Sequence, residues 1–324
     1  MMKTSSKNFG FLLTRNLDLF IILIIFLVLP RFIPVTFAVH TLVYGVAALA
    51  VNVMYGYGGL LSFGHALLLG LGCYGTAFAL NYLTDNIVLA VAVGALLTLS
   101  VGALAGIFAL RRRDPYFSLV MLAFNVFFYQ LWVGPLASWT GSDMGLFVKL
   151  PVTLDKSTFY HTVLIPILAI LLVLTKIFLK SCIGSLLIAT SENEEKVKSI
   201  GHNPYVIKYI GLLFSSFLAG LIGTQLTLYL AYVGIDYISP MTNPILVFSV
   251  LVGGAGTIIG PFIGSIIYNI LNYILLVLLG WHATIYLEGI IGLFLIILMI
   301  WFRGGLYRAI YRLIKGYHLP DVVR

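Results

Sequence analysis

The chain has 324 residues, of which 61% are hydrophobic and only 9% are charged, and its formal net charge is +8. A soluble domain has about a quarter of its residues charged, so this composition excludes a water-soluble fold. The bilayer must therefore surround most of the chain. We predict an all-α, polytopic transmembrane helical bundle that forms a single domain over residues 1–324.

Apolar segments long enough to cross about 30 Å of hydrocarbon, roughly 20 residues each, predict the membrane spans. The first is predicted to be a retained span and not a cleaved signal peptide, because no small-x-small site follows it. With a shorter apolar piece at 245–252, the chain is predicted to have about 8 to 10 spans. The long predicted spans are 17–36, 37–57, 60–82, 87–110, 116–135, 160–180, 206–232, 258–280 and 284–302.

Basic residues border these spans in clusters, for example at 111–113 and within the polar segment 181–206. The positive-inside rule assigns such clusters to the cytoplasm. Counting one crossing per span from a cytoplasmic N-terminus puts 181–206 inside and 136–159 outside. A basic C-terminus on the inside then requires one more crossing, and a half-membrane or broken helix near 244–256 is the candidate.

The segment from Asn52 to His65 joins two predicted spans and contains four glycines and several uncharged polar side chains. Dense glycine weakens a helix, and polar groups at membrane depth face a cavity or a partner helix. A broken element that lines the substrate path and a tight hairpin with satisfied polar groups both remain open. Hydrogen bonding between helices is likewise an alternative for each candidate path residue. The candidate path residues are Asn52, Gly58, Gly59, Ser62, Gly64, His65, Asn125 and Gln225.

The polar segment 181–206 is the longest polar stretch between spans, and its acidic residues precede its basic ones. This order suits a short helix because of the helix dipole, and Gly201 followed by Pro204 can end it. A solvated connector helix and a docking helix are both consistent with the pattern. The candidate residues are Glu192, Asn193, Glu194, Glu195 and Gly201.

Motifs for catalysis are absent from the sequence. No G-x-x-x-x-G-K-[ST] loop occurs, so the chain cannot hydrolyse ATP by itself. No His or Cys cluster has ligand spacing, and no acidic pair is placed for acid–base chemistry. We therefore predict no catalytic residue, no metal and no cofactor, and nucleic-acid binding is not indicated because the basic clusters border apolar segments.

Five stretches, in order along the chain, resemble the permeases of branched-chain amino acid ABC importers. They match that family's Ser-x-Gly-His signature, Pro-Tyr-Phe segment, Thr-Gly outer loop, cytoplasmic coupling loop and late glycine-rich motif. The stretches are 56–65, 114–124, 140–145, 191–201 and 252–264.

The resemblance implies a non-catalytic permease subunit in the cytoplasmic (inner) membrane of a prokaryote. Its implied partners are a homologous second permease, two ATPase subunits, an extracytoplasmic solute-binding protein and the lipid bilayer. The polar segment 181–206 would then be the coupling loop that docks on the ATPase. The binding protein would contact the outer loop at Thr140, Ser142 and Asp143.

The substrate implied by the resemblance is leucine, isoleucine or valine, while similar permeases serve urea and short amides. An ion-coupled secondary transporter is the rival of a different class, and it needs ionisable groups deep in its spans. No predicted span carries a carboxylate at its centre. The sequence therefore favours transport driven by a separate ATPase.

Overall fold

The protein is described by a computed structural model in which nearly all of the regular structure is helical. Its described residues are 19–111, 114–151, 155–279, 289–290, 292–293, 296 and 305–306.

Seven of the described helices are long and apolar enough to cross a membrane, namely α2 to α6, α9 and α11. Polar cap residues such as Asn86, Asn193 and Asn203 begin several helices by accepting hydrogen bonds from their first free N–H groups. The described helices of six or more residues are α1 (Leu19–Arg31), α2 (Val35–Tyr57), α3 (His65–Leu83), α4 (Ile87–Ala109), α5 (Tyr116–Val133), α6 (Lys156–Lys180), α7 (Cys182–Glu192), α8 (Glu194–Ser199), α9 (Pro204–Leu230), α10 (Thr242–Gly253) and α11 (Gly260–Leu279).

The outer surface of the spans is as apolar as their interior. Val88, Leu96 and Ile177 are 75%, 62% and 61% exposed, and each lies within a long span. Water would not tolerate a continuous surface of this kind, whereas lipid does. The polytopic helical bundle predicted from composition is confirmed.

Glycines allow the central helices α3, α4 and α9 to approach closely. A Cβ on Gly72 of α3 would collide with the carbonyl of Gly220 on α9, and one on Gly223 would collide with the carbonyl of Leu69. The hydrophobic effect does not drive helices together within lipid. Close van der Waals packing at small residues stabilises such crossings instead. A second group, α2, α10 and α11, packs beside this core.

The two ends of the bundle differ in their connections. The break end contains the connections 58–64, 181–203 and 254–259. At the strand end, β1 (Leu146–Phe147) pairs with β2 (Tyr232–Val233) in an antiparallel ladder.

The chain between α9 and α11 contains a short apolar helix where the charge pattern predicts an extra crossing. After β2 it enters the bundle, where a Cβ on Gly70 would lie 2.6 Å from the Cβ of Ile238. The 12-residue helix α10 then continues to the break end. The half-membrane helix predicted near 244–256 is confirmed, whereas the predicted span 284–302 lies almost wholly outside the described residues.

Candidate functional site

The glycine-rich connection between α2 and α3 is a true interruption of helix. The last turn of α2 is π-helical, residues 58–64 are not helical, and Gly59 has a φ of +69°. This connection lies against α7, because a Cβ on Gly59 would be 3.0 Å from the Cβ of Ser191. The broken element inferred from the sequence therefore contacts the polar segment 181–206 directly.

A polar cavity of about 460 Å³ lies where the glycine connection meets α7 and α8. Asp114 holds one wall in place by accepting hydrogen bonds from Leu61 N and Ser118 Oγ, both at 2.9 Å. The charged and glycine residues of the lining are Gly58, Gly59, Asp114, Glu192, Glu194, Glu195 and Lys208.

The short helix expected in the polar segment is present as α8. Asn193 caps it, since its Oδ1 accepts hydrogen bonds from Glu195 N and Lys196 N at 3.0 Å. On the inner side Val197 is 2% exposed, and outside the helix Gly201 turns the chain with a φ of +88°.

An ion pair fastens α8 to the membrane helices. Lys208 of α9 is 8% exposed and donates to Glu194 Oε1. Glu195 is exposed on the outer side, and Glu192 ends the preceding helix α7. Lys208 is the single charged residue in α9. A lone charge in an apolar helix is the sequence signal that could have identified Lys208 as a member of this site.

Asn52 joins the two glycine-rich connections of the break end. Its Nδ2 donates to Thr257 O at 2.8 Å, and its Oδ1 accepts from Gly256 N at 2.9 Å. A Cβ on Gly56 would collide with Gly256 N. Asn52 thus satisfies the backbone of a connection 204 and 205 residues further along the chain.

His65 begins α3 and is fully buried. Its Nε2 lies 2.5 Å from Ser215 Oγ, which itself donates to Ala50 O at 2.7 Å. Because that hydroxyl proton is used, His65 Nε2 must be the donor, and Nδ1 has no partner among the described residues. Nearby, Ser62 Oγ accepts from Gly64 N at 3.3 Å.

Asn125 belongs to a buried amide network that sequence reasoning found only in part. Asn243 Nδ2 donates to Asn125 Oδ1 at 2.5 Å, and Asn125 Nδ2 donates to Ile238 O at 2.7 Å. Asn243 Oδ1 accepts from Ala66 N at 3.0 Å, so the start of α10 caps the start of α3. Asn243 could have been identified from the sequence as an amide side chain at the edge of an apolar stretch.

Gln225 lies in a different cavity, which is at the strand end and has a volume of about 510 Å³. Most of its lining is apolar and comes from the start of α4, the start of α6 and the end of α9. Lys156 and Tyr229 are its other polar residues.

The three residues predicted to contact a binding protein also lie at the strand end. Thr140 is buried and donates to Trp132 O at 2.7 Å, whereas Ser142 is half-buried. Asp143 is exposed, so it is the member of the three that a partner could reach.

The predicted path residues therefore occupy separate places in the described structure. Gly58 and Gly59 share the polar cavity with α7 and α8, whereas Gln225 lines the apolar one. Asn52, His65 and Asn125 hydrogen bond between elements in the manner of helix-packing groups.

A bundle of apolar helices with internal breaks and a buried network of uncharged polar groups defines a multi-pass membrane protein. The family described as "Branched-chain amino acid transport system / permease component" matches residues 33–300, and the chain belongs to that family. No curated protein and no solved structure matches the chain significantly.

Proposed function

We propose that the protein is the permease subunit of an ATP-binding cassette importer that moves branched-chain or other small neutral amino acids across the cytoplasmic membrane. Membership of the permease family over residues 33–300 supports this assignment. In this proposal residues 1–324 form one non-catalytic permease domain, and ATP hydrolysis takes place in a separate subunit.

The observation that carries the proposal is the construction of α8. This helix follows the short helix α7 in the connection between the spans α6 and α9, is capped by Asn193, and is fixed from within by Val197 and Lys208. Its outer side presents Glu195 and Lys198, which are both exposed. A short helix held in this way can transmit a push from a docked ATPase as a rigid body.

Through the contact between α7 and the glycine connection, a displacement of α8 by the ATPase would move residues inside the bundle. Gly59 lies against Ser191, and Asn52 in turn holds the connection that follows α10. Motion of α7 and α8 would therefore reach both breaks of the bundle. We place this contact at the centre of the switch between inward- and outward-facing states.

The proposed orientation has the break end and both chain termini in the cytoplasm. The strand end then faces outward, where Asp143 is available to a solute-binding protein. The complete importer contains this chain, a homologous second permease, two ATPase subunits and that binding protein.

An ion-coupled mechanism has less support. None of the seven long spans that the structure describes contains an Asp or Glu. Secondary transporters use ionisable or ion-coordinating groups near the middle of the membrane. This composition favours the ATP-driven mechanism.

Uptake by proteoliposomes tests the proposal. Vesicles that contain both permeases and the ATPase subunits should take up leucine only when ATP and the binding protein are supplied, and an ionophore should not abolish uptake. Uptake that needs an ion gradient but neither the ATPase nor ATP would contradict the proposal.

A variant of α8 tests the docking surface. Glu195→Lys reverses an exposed charge and should abolish co-purification of the ATPase, whereas the control Asp143→Lys at the opposite end should not. Normal co-purification with Glu195→Lys would count against the docking assignment.

A further inference from the structure

The apolar cavity at the strand end has the dimensions of a small-molecule site. Its volume is about 510 Å³, and sites for small ligands typically measure about 300–1,000 Å³ with mostly apolar walls and a few polar groups. Val88 and Val91 of α4, Phe159 of α6 and Leu228 of α9 contribute apolar wall. The cavity lies at the end of the bundle that bears β1 and β2.

Gln225 gives this cavity an unsatisfied acceptor. The side chain is 4% exposed, and its Nε2 donates to the neighbouring Thr224 Oγ1 at 3.1 Å. Its carbonyl oxygen accepts no hydrogen bond from the residues that the structure describes. A polar atom in apolar surroundings gains a large stabilisation when a ligand donates to it.

The end of a helix and a lysine both contribute charge to the lining of this cavity. The last turn of α9, including Leu228 and Leu230, lines the cavity and brings the negative end of the helix dipole to it. Lys156 also lines the cavity, with its Nζ 5.9 Å from the ring centroid of Tyr229. Tyr229 and Gln225 are one helical turn apart and so share a face of α9.

We propose that this cavity is a binding subsite for a zwitterion with a branched aliphatic side chain. The ligand's ammonium group donates to Gln225 Oε1 near the end of α9, and its carboxylate pairs with Lys156. Its aliphatic chain packs against Val91 and Phe159. The inference rests on the proposed function and adds the place where this subunit holds its substrate.

A phospholipid acyl chain is the competing occupant, because the cavity lies among membrane-spanning helices. A hydrocarbon chain would fill the apolar walls but has no donor for Gln225. The observation that favours the zwitterion is therefore the free acceptor inside the cavity.

Binding of tritiated leucine to the full chain in lipid nanodiscs tests the proposal. Leucine should bind saturably at millimolar concentration. Unlabelled 4-methylpentanoate, which lacks the ammonium group, and 3-methylbutylamine, which lacks the carboxylate, should each compete more weakly than leucine. Absence of saturable binding to the unmodified chain would overturn the subsite.

Two variants identify the groups involved. Gln225→Leu should weaken leucine binding about tenfold or more, because a hydrogen bond to a charged group is lost. Lys156→Gln should weaken it only a few-fold, since this lysine is exposed. Gln130→Leu is the matched control, because Gln130 is exposed on α5 outside the cavity, and it should bind leucine normally.

Two results would overturn the assignment. One is equal leucine binding by Gln225→Leu and Gln130→Leu. The other is a phospholipid that co-purifies with the unmodified chain and is lost from Gln225→Leu, as measured by mass spectrometry. ATP-dependent uptake by the complete importer is measured separately, so persistence of uptake without binding at this cavity would reject the subsite while leaving the proposed function intact.

Discussion

Two asparagines at opposite ends of the bundle make the same pair of hydrogen bonds in different surroundings. At the break end, Asn52 donates to Thr257 O at 2.8 Å and accepts from Gly256 N at 2.9 Å. At the strand end, Asn81 bonds to two backbone groups of residues 147–149 at 2.9 and 3.0 Å. Asn52 is fully buried, whereas Asn81 is partly exposed.

The difference in burial decides what each pair contributes. Water can replace the exposed bonds of Asn81 more readily than those of Asn52, because the Asn52 side chain is fully buried and its backbone partners are half-buried. The hydrogen bonds of Asn52 at the break end are therefore the harder of the two pairs for water to replace. Such bonds suit a break end that must move as a rigid unit when the ATPase moves. The strand end can change its local conformation more easily when a ligand or a partner protein binds.

The largest expected effect is that of Asn52→Leu. Two half-buried backbone groups lose their partners at a fully buried side chain, so the free energy of unfolding should fall by about 2–4 kcal/mol. Asn81→Leu should lower it by only about 1 kcal/mol, because water takes over both bonds. Titration of the purified protein with SDS measures both values, and equal losses would contradict the role assigned to burial.

A smaller effect is expected from Lys208→Met. The partly buried Glu194 loses its ionic partner, and the free energy of unfolding should fall by about 1.5–3 kcal/mol. Lys198→Met, which alters an exposed residue of α8, should change it by less than about 0.5 kcal/mol. The SDS titration compares the two variants, and a similar loss for both would show that the ion pair does not anchor α8.

Alanine substitutions at two glycines of the break end distinguish the cost of backbone strain from the cost of a side-chain contact. Gly201→Ala should cost about 1 kcal/mol, because its φ is +88° but nothing lies within 4 Å of the new Cβ. Gly59→Ala should cost about 1–2 kcal/mol, since its Cβ would also meet Ser191 at 3.0 Å.

Leucine uptake by the complete importer distinguishes these two variants further. It should fall in Gly59→Ala, which displaces α7, and remain normal in Gly201→Ala. Equal uptake by the two variants would show that the contact of the glycine connection with α7 is not needed for transport.

The spans and the breaks could be predicted from the sequence because they depend on local composition. Hydropathy located the long helices, and the short apolar helix α10 lies where the charge pattern predicts an extra crossing. The acidic-to-basic order of the polar segment predicted α8, and Gly201 was correctly placed at its end.

The partners of the buried polar residues could not be predicted in the same way. Asn52 and Gly256 are 204 residues apart, and Asn125 and Asn243 are 118 apart. Sequence periodicity shows that such amides are unusual in apolar helices, but only the packing shows which backbone groups they satisfy. The two cavities likewise arise where distant segments meet.

The most direct test of the account is which side of the membrane each end faces. In a Cys182→Ser background, which removes the exposed native thiol, Lys198→Cys and Asp143→Cys are treated with a membrane-impermeant maleimide. We predict that intact cells label only the Asp143→Cys variant, and that Lys198→Cys becomes labelled once the membrane is opened. Labelling of Lys198→Cys from outside would contradict the assignment of the break end to the ATPase.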